Sequence, residues 1–502
     1  MANGGLLRDP QRYLTDPSAQ RQLGVQLLVL AVLLAVSAYS HFIHRRHSTK
    51  TRQQQHASHA GGRLHDDDET AGAHEETVAE VDRLVVYPIK SCAGCVVGER
   101  GRAMRLDRKG FQYDRRWMVV RPTRRSVSEG QGSANEGTKG EGETVKWEKQ
   151  SLREEPRLTL VRPEIVEEED GRAVLRLSIS DRAPQQDAAR CAIEVPLRPT
   201  RAMLDRWQAV CDVEMWGDVA DGRIVEMDAR YAGPYSGSPS QWLSEFLGYE
   251  AVLLQFDDAA RGPRAPFPIW KPPASSAAWP EARRAALGGP TRIEFQDEYP
   301  LLVSTVESLA AVQGQIQTAV LDETKLRSLD RAHWRTASND EADDVSLKMT
   351  AFRPNVVLRS RPGTRGFPPF SEDSWETIWI GPASASEHEQ EGSDSISNIS
   401  ACLHLVARCK RCRLTTVDPV TAKQDKNVPL AMLRETRYRR SEAKKAGPCF
   451  GMYAVPEAMA AVDDALDGQG HEQRYGTLTV GDAVRVRWRP YALDDEVDRK
   501  RE

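Results

Sequence analysis

Apolar and polar positions divide the chain into a charge-free block, a strongly polar stretch and a long remainder with β-type patterning. The block is "GVQLLVLAVLLAVSAYSHFI", Gly24–Ile43, with no formal charge other than one on His41 when protonated. A helix of that length spans a bilayer. The run is long for the apolar region of a signal peptide, and 23 residues precede it. The pattern therefore predicts a transmembrane helix over 24–43 behind a polar tail over 1–23. Arg45, Arg46, Lys50 and Arg52 follow it, against Arg8, Arg12 and Arg21 before it, which places the large C-terminal part on the cytosolic side. Residues 44–79 are rich in His, Gln, Arg, Asp and Glu and predict a disordered tether.

From Val81 onward the pattern changes. "VDRLVVYPIKS" is a β-branched run ended by Pro88, and predicts a strand entering a turn. "RRWMVVRP", "LTLVRPEIV" and "AVLRLSIS" predict further strands, as do "FRPNVVLRS" and "WETIWIG". In "GTLTVGDAVRVRW", Val484 and Val486 alternate with Arg485 and Arg487 after a Gly481-Asp482 turn. Helix signals are few. "SPSQWLSEFLG" offers Ser238 as cap, Pro239 in the first turn, an apolar face of Trp242, Leu243, Phe246 and Leu247, and Gly248 at the end. "STVESLAAV" places Ser304 and Glu307 at capping-box spacing. Polar or Pro/Trp-rich insertions interrupt the pattern at about 123–145, 264–292 and 383–400. The expectation is a β-rich α+β fold without internal repeats.

Composition changes this picture little. The chain has 502 residues, 40% hydrophobic and 28% charged, with a net charge of −4. That balance gives no whole-chain argument for nucleic acid as partner. Eight cysteines are too few for a disulfide scaffold, which agrees with a cytosolic domain.

The motifs narrow the chemistry. There is no Walker loop, no GxGxxG after a strand, no HExxH and no GxSxG. Seven of the eleven histidines lie in the apolar block and the tether; of the rest, His388 falls in an insertion, and His333, His404 and His471 stand isolated in sequence. What remains is two CxxC pairs, Cys92/Cys95 in "CAGC" and Cys409/Cys412 in "CKRC". Four such thiolates make a structural zinc site if they meet. The alternative gives them unequal roles. Cys412 sits among Arg408, Lys410, Arg411 and Arg413, and nearby positive charge favours a thiolate, the form that binds soft metals. The following "LTTV" predicts a strand, with Cys412 just before it. Lys90-Ser91, Arg115 and Arg353 form a second basic set suited to phosphate oxygens.

These residues also carry a family resemblance. "YPIKSCAG", "DRRWMVV", "REEPRL", "FRPN", "RCRLTTVDP", "FGMY" and "GTLTVGDAV" occur in this order from about Val81 to Trp488. The chain resembles the MOSC-domain proteins, specifically a fungal-type long form of the mitochondrial amidoxime-reducing component. The resemblance implies a MOSC N-terminal β-barrel region over 80–257, a Pro/Trp-rich insertion over 258–294, a MOSC β-barrel domain over 295–490 and a polar tail over 491–502. It implies a molybdenum–molybdopterin cofactor of the bis-oxo, cysteine-ligated type. Cys412 matches the metal ligand, and Lys90, Ser91, Arg115, Arg353, Asn355, Lys410, Arg411 and Tyr453 match cofactor contacts. Glu298 and Tyr299 stand where some relatives have small hydroxylated residues. The activity implied is reduction of N-hydroxylated substrates, with electrons from NADH through cytochrome b5 reductase and cytochrome b5. The outer mitochondrial membrane is the implied location, with the endoplasmic reticulum as the alternative. Two other functions compete: a non-catalytic or sulfur-transfer MOSC module using Cys412, and a scaffold stapled by zinc through both CxxC pairs. The absence of an aminotransferase-like region in the sequence weighs against sulfuration within one chain.

Overall fold

The computed structural model describes residues 75–99, 102–125, 144–167, 172–184, 191–227, 235–266, 291–335, 346–383, 399–441, 444–459 and 475–489. The apolar block over 24–43, both terminal tails and most of each insertion lie outside them. Among the described residues no helix is long and apolar enough to cross a membrane.

Seven strands close a barrel: β1 (Glu75–Val86), β2 (Leu301–Thr305), β3 (Val356–Ser360), β4 (Trp375–Gly381), β5 (Ala401–Lys410), β6 (Lys444–Pro456) and β7 (Ala483–Trp488). Their order is β2-β3-β1-β7-β4-β5-β6, and β6 pairs back onto β2 through Leu302↔Tyr453 and Val303↔Met452. Closure leaves no exposed edge to template aggregation. All neighbours are antiparallel except β2 and β3, which run parallel. Parallel strands need a crossover, and the helix Val306–Leu321 supplies it. Period-two alternation sends Leu84, Val303, Leu358, Ile378, Leu403, Met452 and Val484 into one shared core. At the seam Gly451 has φ +75°, and a Cβ there would sit 2.8 Å from the Val303 carbonyl oxygen. Only glycine lets the two backbones approach that closely.

Most of the N-terminal half forms a five-stranded sheet, ordered 209–215, 218–224, 252–256, 117–125 and 144–149, and a three-stranded sheet of 161–167, 173–179 and 193–196; the short strands 104–107 and 110–111 pair in a third sheet with 477–478. The helix Pro239–Leu247 packs its Trp242 face into the core, with Ser238 Oγ accepting from Gln241 N–H and Gly248 closing the end at φ +73°. Four expectations shift. The barrel's first strand opens at Glu75, inside the stretch read as tether, and it joins the C-terminal barrel by pairing with β3 and β7. The insertion at 123–145 begins and ends as paired strand, Arg125↔Thr144. The 306–321 helix is capped by Thr305, whose hydroxyl accepts from Ser308 N–H, because Ser304 is still in strand. And "LTTV" is no strand: Arg413–Thr416 is a 3₁₀ turn. The Thr415 and Thr416 hydroxyls donate to the carbonyls of Cys412 and Arg413, at 2.9 and 2.8 Å. Such local bonds compete with a strand ladder.

Candidate active site

Two segments from the N-terminal half are zipped together beside the barrel. Tyr87 N–H donates to Asp114 Oδ1 at 2.9 Å, Arg115 N–H to the Tyr87 carbonyl at 2.8 Å, and Lys90 N–H to the Trp117 carbonyl at 2.8 Å. This puts "YPIKS" against "DRRW". Asn355, just before β3, ties both to the barrel. Its amide donates to Val85 O and Asp114 Oδ1, and its oxygen accepts from Leu302 N–H and Arg115 Nη1. With all four bonds used, Asn355 braces the site.

The cleft so formed has a volume of about 670 Å³. All nine sequence-predicted residues line it, contributed by separate segments: Lys90, Ser91, Arg115, Arg353, Asn355, Lys410, Arg411, Cys412 and Tyr453. Glu298 and Tyr299 line it too. Three of the nine hold left-handed backbone: Ser91 at φ 71°, Arg115 at 50° and Arg353 at 57°. Such geometry is uncommon for non-glycine residues and concentrates at functional sites.

Charge in the cleft is unbalanced, with six basic side chains against three acidic ones. Arg115 and Arg353 lie over the Tyr87 ring, at 4.5 and 4.2 Å from its centre. Arg353 Nη1 donates to the Cys92 carbonyl at 2.6 Å, while its buried Nη2 has no hydrogen-bond partner. Burial, together with the neighbouring Arg115 charge, lowers the Arg353 guanidinium to about 10. Burial likewise lowers the Lys90 ammonium to about 8, opposed by its ion pair with Asp297. Burial also acts to raise Asp297, but the Lys90, Trp216 and Arg153 groups override it and hold that carboxyl well below the usual range. A buried cation with an unused donor is costly unless an anion arrives.

The two cysteines of "CKRC" differ. Cys409, in β5, is buried, and its sulfur accepts from Arg411 Nη1 at 2.6 Å. Burial pushes that thiol up, against the Arg411 charge. Arg411 Nη2 donates to the Phe352 carbonyl at 2.6 Å, so this guanidinium braces the wall. Cys412 lies beyond the strand, half-buried, at the head of the 3₁₀ turn. Its sulfur accepts two N–H groups from Arg153, Nη2 at 2.9 Å and Nε at 3.3 Å.

Arg153 was missed as a site residue, although "REEPRL" contains it. The Trp216 ring lies 4.5 Å from its guanidinium carbon, and the indole N–H donates to Asp297 Oδ1 at 2.8 Å. Trp216 is 45% exposed at the cleft mouth, on the turn between strands 209–215 and 218–224. No sequence pattern announces it, because only the fold brings that hairpin to the cleft.

The zinc-knuckle alternative does not survive. The Cys92 and Cys95 thiols are both pushed up to about 12 by burial, and Cys95 Sγ donates to the Pro163 carbonyl at 2.9 Å. Among the described residues, the CxxC sulfurs join no group of three or more metal-ligating atoms.

Fold and site together define a β-barrel protein whose cationic cleft presents one accessible sulfur, suited to an anionic ligand carrying a soft metal. Residues 78–250 match the MOSC N-terminal beta barrel domain, and residues 290–485 match the MOSC domain. The chain belongs to the MOSC-domain proteins. It is 25% identical over 415 residues to a molybdenum cofactor sulfurase of Aspergillus clavatus, covering 80% of this chain and 41% of that protein. It is 26% identical over 416 residues to the mitochondrial amidoxime-reducing component 1 of Homo sapiens, covering 82% of this chain and 83% of that protein. The mouse counterpart is 27% identical over 415 residues, covering 82% of each chain. The chain thus spans about two fifths of the sulfurases it matches and most of the amidoxime-reducing components.

Proposed function

We propose that this protein is a molybdenum–molybdopterin enzyme that reduces N-hydroxylated substrates such as amidoximes and hydroxylamines. The observation that carries the reading is Cys412, its sulfur held by two Arg153 N–H donors at the wall of a cationic cleft. The residues present fit the cofactor: the unpartnered Arg353 Nη2 and the excess of basic side chains suit its phosphate, and the sulfur suits its metal. When bound, the cofactor supplies two-electron redox chemistry.

The chain's own residues do the holding. Cys412 offers the metal a thiolate, and Arg153 aims it and offsets its charge. Arg115, Arg353, Lys90 and Ser91 receive the anionic end, while Asn355 and Arg411 keep the walls in register. Lys410 and Tyr453 complete the lining of the cleft. Reduction cleaves the substrate N–O bond with two electrons and two protons, giving water and an amidine or amine. Electrons come from NADH through cytochrome b5 reductase and cytochrome b5. On this reading the apolar block at 24–43 anchors the chain in the outer mitochondrial membrane with its catalytic part in the cytosol; the names of the relatives support the mitochondrial association alone.

The sulfurase relatives, which align over as much of the chain, favour a second reading: a MOSC module that carries sulfur or cofactor at Cys412 without turnover. The test is molybdenum analysis of the full chain from a cofactor-producing host, with benzamidoxime reduction assayed alongside both electron donors. Near one molybdenum per chain with turnover supports the reductase. Molybdenum without turnover supports the cofactor-carrying module, and its absence from protein supplied with cofactor overturns both the reductase and the cofactor carrier.

A further inference from the structure

His404, isolated in sequence, has close company in the fold. The face of β5 that carries Ala401, Leu403 and Leu405 enters the shared core. Cys402 and His404 alternate onto the opposite face, where both are buried. Glu457 follows β6 directly, and its N–H donates to the Cys402 carbonyl at 2.9 Å, which pins it beside them. The three side chains meet tip to tip. His404 Nε2 lies 2.7 Å from Glu457 Oε2, Cys402 Sγ lies 3.2 Å from that oxygen, and Cys402 Sγ lies 3.9 Å from Nε2. On the neighbouring strand β4, Thr377 Oγ1 is 3.0 Å from His404 Nδ1 and fixes the ring.

We propose that Cys402, His404 and Glu457 bind a zinc-class divalent cation. One imidazole, one thiol and one carboxylate are the donor types such an ion takes. Around a tetrahedral zinc, bonds of about 2.0–2.3 Å place ligand atoms roughly 3.3–3.7 Å apart. The separations of 2.7, 3.2 and 3.9 Å straddle that spacing, so small side-chain rotations admit the ion. A histidine–carboxylate hydrogen bond alone accounts for two of the groups. The Cys402 thiol donates to the same carboxylate oxygen, so all three potential ligand atoms already converge on one point. Thr377 plays the outer-shell part that orients a metal-bound histidine. The Glu457 side chain is 32% exposed, which leaves a solvent-side position for a fourth ligand. The three residues do not line the cleft, although Tyr453, which does, lies two residues along β6 from Val455, the cross-strand partner of His404. The site cross-links β5 to the end of β6 in the barrel wall, and it stands independently of the proposed reductase activity.

The full chain, stripped with chelator, is titrated with Co²⁺ as the probe. The expected result is a near-ultraviolet sulfur-to-cobalt charge-transfer band that saturates at one equivalent and is erased by one equivalent of Zn²⁺. The histidine-rich stretch before Glu75 can take up cobalt too, but without that sulfur band. C412A keeps the band and C402A loses it. E457Q, altered at a partly exposed side chain and therefore retaining the fold, binds cobalt at least tenfold more weakly. The proposal is overturned if the wild-type chain shows no band, if the band vanishes in C412A and persists in C402A, or if folded E457Q binds as tightly as wild type.

Discussion

"CAGC" and "CKRC" share one spacing and meet opposite fates. In the first, both thiols turn into protein. Cys92 is fully buried, Cys95 bonds to the Pro163 carbonyl, and burial pushes both up to about 12. In the second, the strand carries Cys409 inward, and the chain leaves the strand before Cys412 and presents its sulfur to Arg153 at the cleft. Spacing therefore says little about a cysteine's chemistry. Where the backbone ends its regular structure, and which cation waits there, decides it.

The contrast can be broken most sharply by removing sulfurs one at a time. Cys412→Ala is expected to cut molybdenum per chain at least tenfold, whereas Cys92→Ala and Cys409→Ala keep most of it, as read by metal analysis of purified protein. Equal loss from all three variants would mean that the two motifs do not differ in role.

Arg153→Met should come next in size. Hydrogen bonds to a charged partner contribute about 1.5–3 kcal/mol, so losing the fork predicts tenfold to hundredfold weaker cofactor retention on gel filtration. Arg153→Lys should not restore it, because an ammonium cannot reproduce two aligned N–H groups. Full retention in the methionine variant would show that the contact with Cys412 is incidental.

Alkylation sharpens the comparison without the cofactor. In the native cofactor-free chain at pH 8, iodoacetamide should label the half-buried Cys412 well before Cys92 or Cys95. A pKa raised to about 12 leaves a thiolate fraction of about 10⁻⁴ at pH 8. The sign follows directly: a raised thiol pKa means less thiolate, so labelling of Cys92 and Cys95 should climb about tenfold per pH unit for as long as the fold survives. Peptide mass spectrometry across pH 7–9 reads this, and a flat profile at Cys92 would contradict its burial.

The smallest effect is on stability. Cys409→Ala removes a buried sulfur that accepts from Arg411, and should cost about 1–2 kcal/mol in urea unfolding. Cys412→Ala, at a half-buried position, should cost less than half of that. The reverse order would place the structural sulfur at the wrong end of the motif.

Several elements were legible because their signals are local. The helix Pro239–Leu247 announces its cap, first-turn proline, apolar face and terminal glycine within eleven residues. The alternation of β7 is just as direct. Other readings failed where side chains overrode the pattern. "LTTV" has strand composition, yet its threonine hydroxyls reach back to carbonyls and wind a 3₁₀ turn. The cap of the 306–321 helix moved from Ser304 to Thr305 because strand β2 runs one residue further. For the cleft, the ordered motifs brought every candidate residue into view, but Arg153 was seen only as part of a motif and Trp216 not at all.

The sequence by itself determined the β-rich character, the few helices, the order of the motifs and the concentration of positive charge around Cys412. Those properties depend on residue type and on neighbours a few positions away. Only the tertiary structure decided that Glu75–Val86 closes a barrel with strands some 270 to 400 residues later, that Arg153 meets Cys412, and that His404 meets Glu457. Those meetings depend on how a closed sheet brings distant segments into register, and no local pattern encodes a distance that long-range closure sets.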